Sequence, residues 1–308
     1  MKKLFFLVLL FNIFVTSIYA QESDLFSHKR INLYDINKMP NSKGTVHKDS
    51  IFRNRIWRTE QPRIYEYRPG AEENKGTAVI VIPGGGYIKQ AYETAGVSFA
   101  KWLNTFGVTA FVLLHRLPNQ TDMIDPSIAP VMDAQRAIKW VRAHAKDYNI
   151  DPNKIGVIGC SAGAHISACV NTAKEDFSKC GDELDSINCR PNFAILVSPA
   201  AKIEGLGSTQ KNLGGNIQKL MDKFPIDALI DSTTAPMLMI HASNDRTVSP
   251  LNSVEIYKAL LNNGVKQSSL HVFPFGGHSI SLRDQPGSTA FWTQIAESWI
   301  REINMLGE

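Results

Sequence analysis

The sequence predicts an α/β fold with a mostly parallel central sheet that is covered by helices on both faces. Compact runs of β-branched and other apolar residues alternate along most of the chain with longer helical stretches, the pattern of a parallel sheet buried on both sides. A second observation is the segment Gly-Cys-Ser-Ala-Gly at 159–163, which follows one of these apolar runs directly. The small residues predict a cramped strand-to-helix turn that lifts the serine hydroxyl out of the sheet.

The first twenty residues have the organisation of a secretory signal peptide. Met1-Lys2-Lys3 precedes an apolar stretch from Leu4 to Val15, and a small residue, Ala20, stands at the expected cleavage point. A membrane anchor is the alternative, but the apolar stretch is shorter than the ~20 residues that a spanning helix needs. We therefore expect a secreted or periplasmic protein with no stable membrane insertion after cleavage.

Charge excludes one class of partner. The chain has 33 basic and 29 acidic side chains, so it carries too little excess positive charge to hold a nucleic acid electrostatically.

The N-terminal part of the mature chain differs from the rest. Residues 21–50 are polar and irregular, and predict an extended arm with one strand near Arg30–Tyr34. From residue 51 to 308 we expect one α/β domain, which begins with an antiparallel pair of strands at Arg53–Thr59 and Arg63–Tyr67.

The core of the domain alternates strands with helices. Predicted strands are Thr77–Ile82, Val108–Leu114, Ile155–Ile158, Phe193–Val197, Met237–His241 and Leu270–Phe273; predicted helices are about Tyr92–Phe106, Ile128–Tyr148, Ala162–Ala173, Ser249–Asn263 and Thr289–Asn304.

Residues 199–233 interrupt this alternation. Four glycines and a mixture of polar and apolar residues predict a small cap above the sheet, because long connections in compact domains are often functional lids. An ordinary surface connection is the alternative.

The four cysteines give no metal-binding pattern. Neither C-x-x-C nor H-x-x-x-H occurs, so no zinc site is predicted. Cys180 and Cys189 lie in a polar segment, and they either close a small loop in an oxidising compartment or remain free thiols. Cys160 and Cys169 are expected to be buried thiols.

Three residues predict nucleophilic catalysis. A serine hydroxyl needs a base within hydrogen-bond reach, and the base needs an orienting carboxylate. Ser161 follows one predicted strand, Asp245 follows the strand that ends at His241, and His278 follows the last strand within Phe-Gly-Gly-His. Because the carboxyl ends of parallel strands share one edge, the three side chains are expected to meet there. Asp245 as a helix cap and His278 as an ordinary loop residue are the alternatives.

The other histidines fit the role of base less well. His241 also ends a strand, but it precedes Asp245, which is the wrong order for the base. His115 and His165 are expected to serve packing or loop hydrogen bonds.

A glycine-rich loop supplies the expected oxyanion donors. Attack on an ester creates a negative oxygen that needs N–H groups already pointing at it. The sequence Ile-Pro-Gly-Gly-Gly-Tyr at 82–87 follows an early strand and lets the backbone approach a substrate closely. A phosphate-binding loop is the alternative, but its signatures are absent.

These motifs resemble the α/β-hydrolase superfamily and, within it, the acetyl-xylan-esterase-like branch of bacterial carbohydrate esterases. The resemblance runs from about residue 53 to 304. It implies an α/β-hydrolase fold with Ser161 as nucleophile, Asp245 as acid, His278 as base, and oxyanion donors at Gly85, Gly86 and Ala162. Acyl transfer by such a triad is expected to need no metal or organic cofactor. The motifs that carry the resemblance are Val-Ile-Pro-Gly-Gly-Gly-Tyr at 81–87, His-Arg-Leu-Pro at 115–118, Asp-Ala-Gln-Arg-Ala-Ile at 133–138, Asp-Pro-Asn-Lys-Ile-Gly-Val at 151–157, Gly-Cys-Ser-Ala-Gly-Ala-His at 159–165 and Phe-Gly-Gly-His at 275–278.

We therefore expect a secreted serine esterase that removes acetyl or other short acyl groups from a plant polysaccharide such as xylan. Tyr87, Tyr92 and Trp57 are either aromatic surface for a sugar ring or core residues. The alternatives are a general short-chain or aryl esterase, a feruloyl esterase, a peptidase on the same fold and a catalytically silent binding protein.

Overall fold

The computed structural model describes residues 24–45, 47–201, 215–278 and 280–307. The predicted signal peptide, residues 1–20, lies outside the described residues. Eight strands form the main sheet in the order β1-β4-β6-β5-β7-β8-β9-β10, and β2 pairs with β3 in a separate two-stranded sheet. The strands are β1 Arg30–Asn32, β2 Ser50–Ile51, β3 Ile56–Arg58, β4 Arg63–Tyr67, β5 Ala78–Ile82, β6 Thr109–Leu114, β7 Ile155–Cys160, β8 Phe193–Val197, β9 Met237–Ala242 and β10 Ser269–Phe273.

The predicted parallel sheet is confirmed. All pairings from β6 through β5 to β10 are parallel, and only β4 runs against its neighbours β1 and β6. In the sheet, β6 lies on one side of β5 and β7 lies on its other side, so the strand order reverses between β5 and β7. This reversal of strand order creates a crevice at the carboxyl ends of β5 and β7, where ligands of such sheets bind.

One predicted strand pairing is wrong. The segment at Arg53–Thr59 contains β3, which pairs with β2 and not with β4 at Arg63–Tyr67. Both edges of β4 are already occupied, by β1 and by β6, so β3 has no free edge of β4 to pair with.

Helices cover both faces of the sheet. The helices are α1 Asp24–Ser27, α2 Ser98–Asn104, α3 Ala129–Ala143, α4 Ala162–Thr172, α5 Gly215–Lys223, α6 Ile226–Leu229, α7 Leu251–Asn262 and α8 Trp292–Glu302. Side chains of α3, α4 and α7 form the core on one face, and those of α2 and α8 form the core on the other. Within β5, Ile80 and Ile82 face the first core whereas Val79 and Val81 face the second, as the alternation of strand side chains requires. Among the described residues, no helix is long and apolar enough to cross a membrane.

The predicted cap segment is described only in part. Residues 202–214 lie outside the described residues, and the remainder of 199–233 contains α5 and α6. Ile217 and Leu220 of α5 belong to the same core as side chains of α4, so this segment lies on the same face of the sheet as the helix that follows Ser161.

Candidate active site

Ser161 stands in the cramped turn that its small neighbours predict. It joins β7 to α4 with φ 56° and ψ −120°, a conformation that side chains rarely adopt. A Cβ on Gly159 would lie 2.2 Å from the backbone of Gly163, and one on Gly163 would lie 2.0 Å from the carbonyl oxygen of Ile82. Only glycine therefore allows α4 to start this close to β5 and β7, and the strained turn holds the Ser161 hydroxyl at the rim of the sheet.

The structure brings together the three side chains that the sequence singled out. The Nε2 atom of His278 lies 2.8 Å from the Ser161 hydroxyl, and its Nδ1 atom lies 2.7 Å from a carboxylate oxygen of Asp245. Asp245 lies in the loop after β9, and His278 lies in the loop after β10. The geometry is that of a nucleophile bonded to a base that is oriented by a carboxylate.

Asp245 is held as a carboxylate by four contacts. One oxygen accepts the backbone N–H groups of Thr247 and Val248 at 2.8 and 2.9 Å. The other lies 2.7 Å from His278 Nδ1 and 3.2 Å from His241 Nε2. Burial alone would raise the pKa of Asp245, but hydrogen bonds from His241, His278 and Val248 outweigh it and hold this pKa well below its usual range. The group facing His278 is therefore an anion.

Cys160 does not compete as a nucleophile. It precedes Ser161, but burial and the nearby Asp245 raise the pKa of its thiol to about 12. A thiol reacts as its thiolate, so this thiol stays in its unreactive protonated form near neutral pH.

The glycine loop closes over the same turn. Gly85 and Gly86 have φ values of 147° and 65°, in the region that favours glycine. A Cβ on Gly84 would lie 2.1 Å from the carbonyl oxygen of Cys160, so the loop touches the backbone beside Ser161. The three predicted oxyanion donors, Gly85, Gly86 and Ala162, line one cavity with Ser161 and His278.

This cavity has a volume of about 690 Å³, within the range of small-molecule sites. Its wall is mainly apolar and includes two cations, Arg55 and Lys89. Of the three aromatic residues considered for sugar contact, Tyr87 and Tyr92 are buried core residues, although Tyr87 also reaches the cavity wall, and half-buried Trp57 lines it. The apolar lining residues are Trp57, Tyr87, Ile88, Ala91, Ala95, Phe99, Ala162, Ala200, Ile217, Met221, Val248 and Ile280.

Comparison with known proteins places the chain in a family. Residues 65–260 match the family model BD-FAE, which is more than half of the chain. The chain belongs to the BD-FAE family.

Its relatives include named hydrolases. The chain is 31% identical over 220 residues to the acetylxylan esterase of Xylanibacter ruminicola, covering 68% of this chain and 42% of that protein. It is 26% identical over 245 residues to endo-1,4-beta-xylanase B of Butyrivibrio fibrisolvens, covering 75% of this chain and 38% of that protein. The chain thus spans about two fifths of the length of these curated relatives.

Solved structures confirm the α/β-hydrolase fold. An acetyl ester-xyloside bifunctional hydrolase from Caldicellulosiruptor lactoaceticus superposes with a TM-score of 0.74 at 30% identity, covering 91% of this chain and 98% of that one. A carboxylesterase from Lactobacillus plantarum superposes with a TM-score of 0.67 at 20% identity, covering 86% of this chain and 99% of that one. The resemblance predicted from the motifs is therefore confirmed for this BD-FAE family member.

His241 makes a contact with the site that the sequence did not predict. His241 is fully buried; its Nδ1 atom lies 2.8 Å from the Ser253 hydroxyl and its Nε2 atom lies 3.2 Å from Asp245. Its position four residues before Asp245 is the signal in the sequence. Order along the chain excluded it as the base, but that order does not exclude a role in fixing the carboxylate.

A second buried histidine connects the glycine loop to α4. The Tyr87 hydroxyl donates to His165 Nδ1 at 2.6 Å when the other ring nitrogen carries the proton, and His165 also bonds to the carbonyl of Phe224. A neutral imidazole protonated at Nε2 satisfies both partners. Three parts of the chain thus meet at one ring: the glycine loop, α4 and the residue that follows α5.

This buried histidine predicts a pH-dependent stability. Burial lowers the pKa of His165 to about 4. As the pH falls from about 6.5 to 4, the unfolded chain binds a proton here that the folded protein does not. Stability conferred by this site is therefore complete above pH 6.5 and is lost on acidification. Between pH 6.5 and 4, the free energy of unfolding measured in urea is expected to fall by about 3 kcal/mol more for wild type than for His165→Gln.

Tyr87→Phe is the matched control, because it removes the same hydrogen bond but keeps the titrating imidazole. It should retain the wild-type pH dependence. An equal loss of stability on acidification in wild type and in His165→Gln would contradict the assignment.

The cysteines are free thiols. Cys180 and Cys189 form no disulfide in this structure; Cys169 is buried as predicted, whereas Cys160 is only half-buried. Cys180, Asp182 and Asp185 place their polar atoms within 4.8 Å of one another. Arg136 forms ion pairs with both of these carboxylates, which accounts for their close approach.

Proposed function

We propose that the chain is a serine carboxylic-ester hydrolase that removes acetyl or other short acyl groups from a plant polysaccharide such as xylan. The observation that carries the chemistry is the continuous hydrogen-bonded series from Ser161 through His278 to Asp245, on the wall of a cavity that the glycine loop also lines. The substrate class is supported by the names of the acetylxylan esterase and the acetyl ester-xyloside hydrolase that the chain resembles.

The mechanism has two acyl-transfer steps. His278 Nε2 takes the Ser161 hydroxyl proton as the oxygen attacks the ester carbonyl, and the oxyanion accepts hydrogen bonds from the N–H groups of Gly85, Gly86 and Ala162. Collapse of this intermediate breaks the bond to the alcohol, which leaves with the proton from His278. The acyl group remains on Ser161.

The second step repeats the chemistry with water. His278 deprotonates the water that attacks the acyl-serine, and the proton is then delivered to Ser161 as the carboxylic acid leaves. The Asp245 carboxylate keeps Nδ1 of His278 protonated and stabilises the charged imidazolium that forms twice in the cycle. Every proton transfer uses side chains of this chain and needs no metal or organic cofactor.

A general short-chain or aryl esterase is the second candidate. The mainly apolar wall of the cavity favours it, since such a wall accepts an acyl group or an aryl group without any sugar. The signal peptide predicted at residues 1–20 would export the protein, which favours a polysaccharide outside the cell as the substrate. This export stays a prediction.

Acetate release separates the two candidates. We expect kcat/KM for an acetylated xylo-oligosaccharide to exceed that for a plain aryl acetate or a feruloyl ester. A higher kcat/KM for the aryl acetate, with little acetate released from the oligosaccharide, would favour the general esterase. No hydrolysis of any ester would favour a binding protein on this scaffold.

A further inference from the structure

A short basic hairpin forms one wall of the cavity. Residues 50–58, which contain β2, β3 and their turn, include three arginines and no acidic residue. The hairpin is fixed relative to the glycine loop, because the backbones of Ile56 and Gln90 exchange hydrogen bonds of 3.1 and 2.8 Å. Arg55 and Trp57 flank Ile56, and both line the cavity. Their positions are therefore set by the backbone that also places the oxyanion donors.

Lys89 adds a second positive charge to this wall. Its backbone N–H donates to the carbonyl of Gly85 at 3.3 Å, so it lies one turn beyond the glycines. Its ammonium lies 4.8 Å from the centre of the Trp57 ring, a cation–π contact that holds it against the hairpin. A guanidinium, an ammonium and an indole thus share one part of the cavity wall.

The fold leaves these charges available. The acidic residues that flank the hairpin in the sequence have other partners: Asp49 pairs with Arg63 at 2.6 Å and Glu60 pairs with Lys48 at 2.7 Å. Within the described part of the chain, Arg55 and Lys89 form no ion pair, and no aspartate or glutamate lines the cavity. This part of the cavity wall therefore carries two positive charges that attract an anionic group.

We propose that Arg55 and Lys89 form a subsite for a carboxylate of the substrate, so that the preferred substrate is an acetylated polysaccharide bearing uronic acid groups near the ester. This inference rests on the proposed function and names its substrate class more closely. A guanidinium binds a carboxylate through two parallel N–H···O bonds, and an ammonium adds a further charge-assisted bond. The exposed part of Trp57 offers an apolar surface to the sugar ring that carries this group.

The test compares two acetylated xylo-oligosaccharides that differ by one uronic acid branch next to the acetylated sugar. At low ionic strength, wild type is expected to show a kcat/KM about tenfold higher for the charged oligosaccharide. This ratio should shrink as salt is added, because the two charges are partly exposed and are screened. The variant Arg55→Gln with Lys89→Gln should lose the preference.

Lys266→Gln is the matched control. It removes an exposed charge just before β10, at the edge of the sheet opposite the site, and it should keep the preference. The ratio of kcat/KM values for the two oligosaccharides and its salt dependence are measured on wild type alone. They therefore test the carboxylate subsite even if the double variant does not fold.

Two outcomes would overturn different claims. Equal kcat/KM for the two oligosaccharides in wild type, or a full preference in the folded double variant, would overturn the carboxylate subsite and leave the proposed function intact. No acetate release from either oligosaccharide, with an aryl acetate still hydrolysed, would overturn the polysaccharide function and the subsite with it.

Discussion

Replacing Ser161 with alanine is expected to lower kcat for ester hydrolysis by about 10⁴-fold or more. The change removes the only atom that forms the covalent intermediate, while His278, Asp245 and the glycine loop remain in place. Residual hydrolysis would come from water bound in the site and activated by the same imidazole. Initial rates with an aryl acetate, taken well above KM, measure the effect.

Ser298→Ala is a suitable control, because Ser298 is exposed on α8 and does not line the cavity. It should hydrolyse the ester at the wild-type rate. Thermal unfolding of both variants should show that neither has lost the fold, since alanine at 161 has no larger side chain than serine in the same strained turn. A near-normal kcat for a folded Ser161→Ala variant would rule out Ser161 as the nucleophile.

Replacing Asp245 with asparagine is expected to lower kcat by about 10³- to 10⁴-fold. One carboxylate oxygen accepts the N–H groups of Thr247 and Val248, so the amide oxygen of asparagine must take that place. Its NH₂ group then faces His278 Nδ1, which has to become an acceptor. The proton moves to Nε2, and the imidazole can no longer take the proton of Ser161. The measurement is kcat together with its pH profile.

The control for this prediction changes a carboxylate remote from the cavity. Asp231 pairs with Lys174 and lies before β9, at the opposite edge of the sheet from the site. Asp231→Asn should leave kcat unchanged. If Asp245→Asn retained more than about a tenth of the wild-type kcat, Asp245 would not be the group that orients the imidazole.

The approach of Ser161, Asp245 and His278 could be predicted because each follows a buried strand of a parallel sheet. Their position in the fold depends only on strand direction, which the apolar runs and the intervening helices determine. For the same reason the predicted parallel strands occur within a residue or two of their observed bounds. The glycine loop was predictable from its three successive glycines, since close backbone approach requires them.

Other features depend on contacts between distant segments. The pairing of β3 with β2 could not be read from the alternation of its residues, because that alternation does not show which edges of β4 are free. The partners of His241 and His165 could not be predicted, because a buried imidazole takes its partners from segments that fold around it: Ser253 of α7 for His241, and Tyr87 and Phe224 for His165. The cavity wall that Arg55 and Lys89 share also depends on a tertiary contact, since the backbone hydrogen bonds between Ile56 and Gln90 join residues 34 positions apart.

Reaction with an organophosphonate, followed by mass mapping of the labelled peptide, tests the central claim most directly. Such reagents react far faster with a serine whose hydroxyl is activated by a neighbouring base than with an ordinary serine. We expect one adduct per chain on Ser161, loss of esterase activity in proportion to labelling, and no adduct in a His278→Ala variant. Full esterase activity after complete labelling, or an adduct on another residue with Ser161 unmodified, would contradict the account.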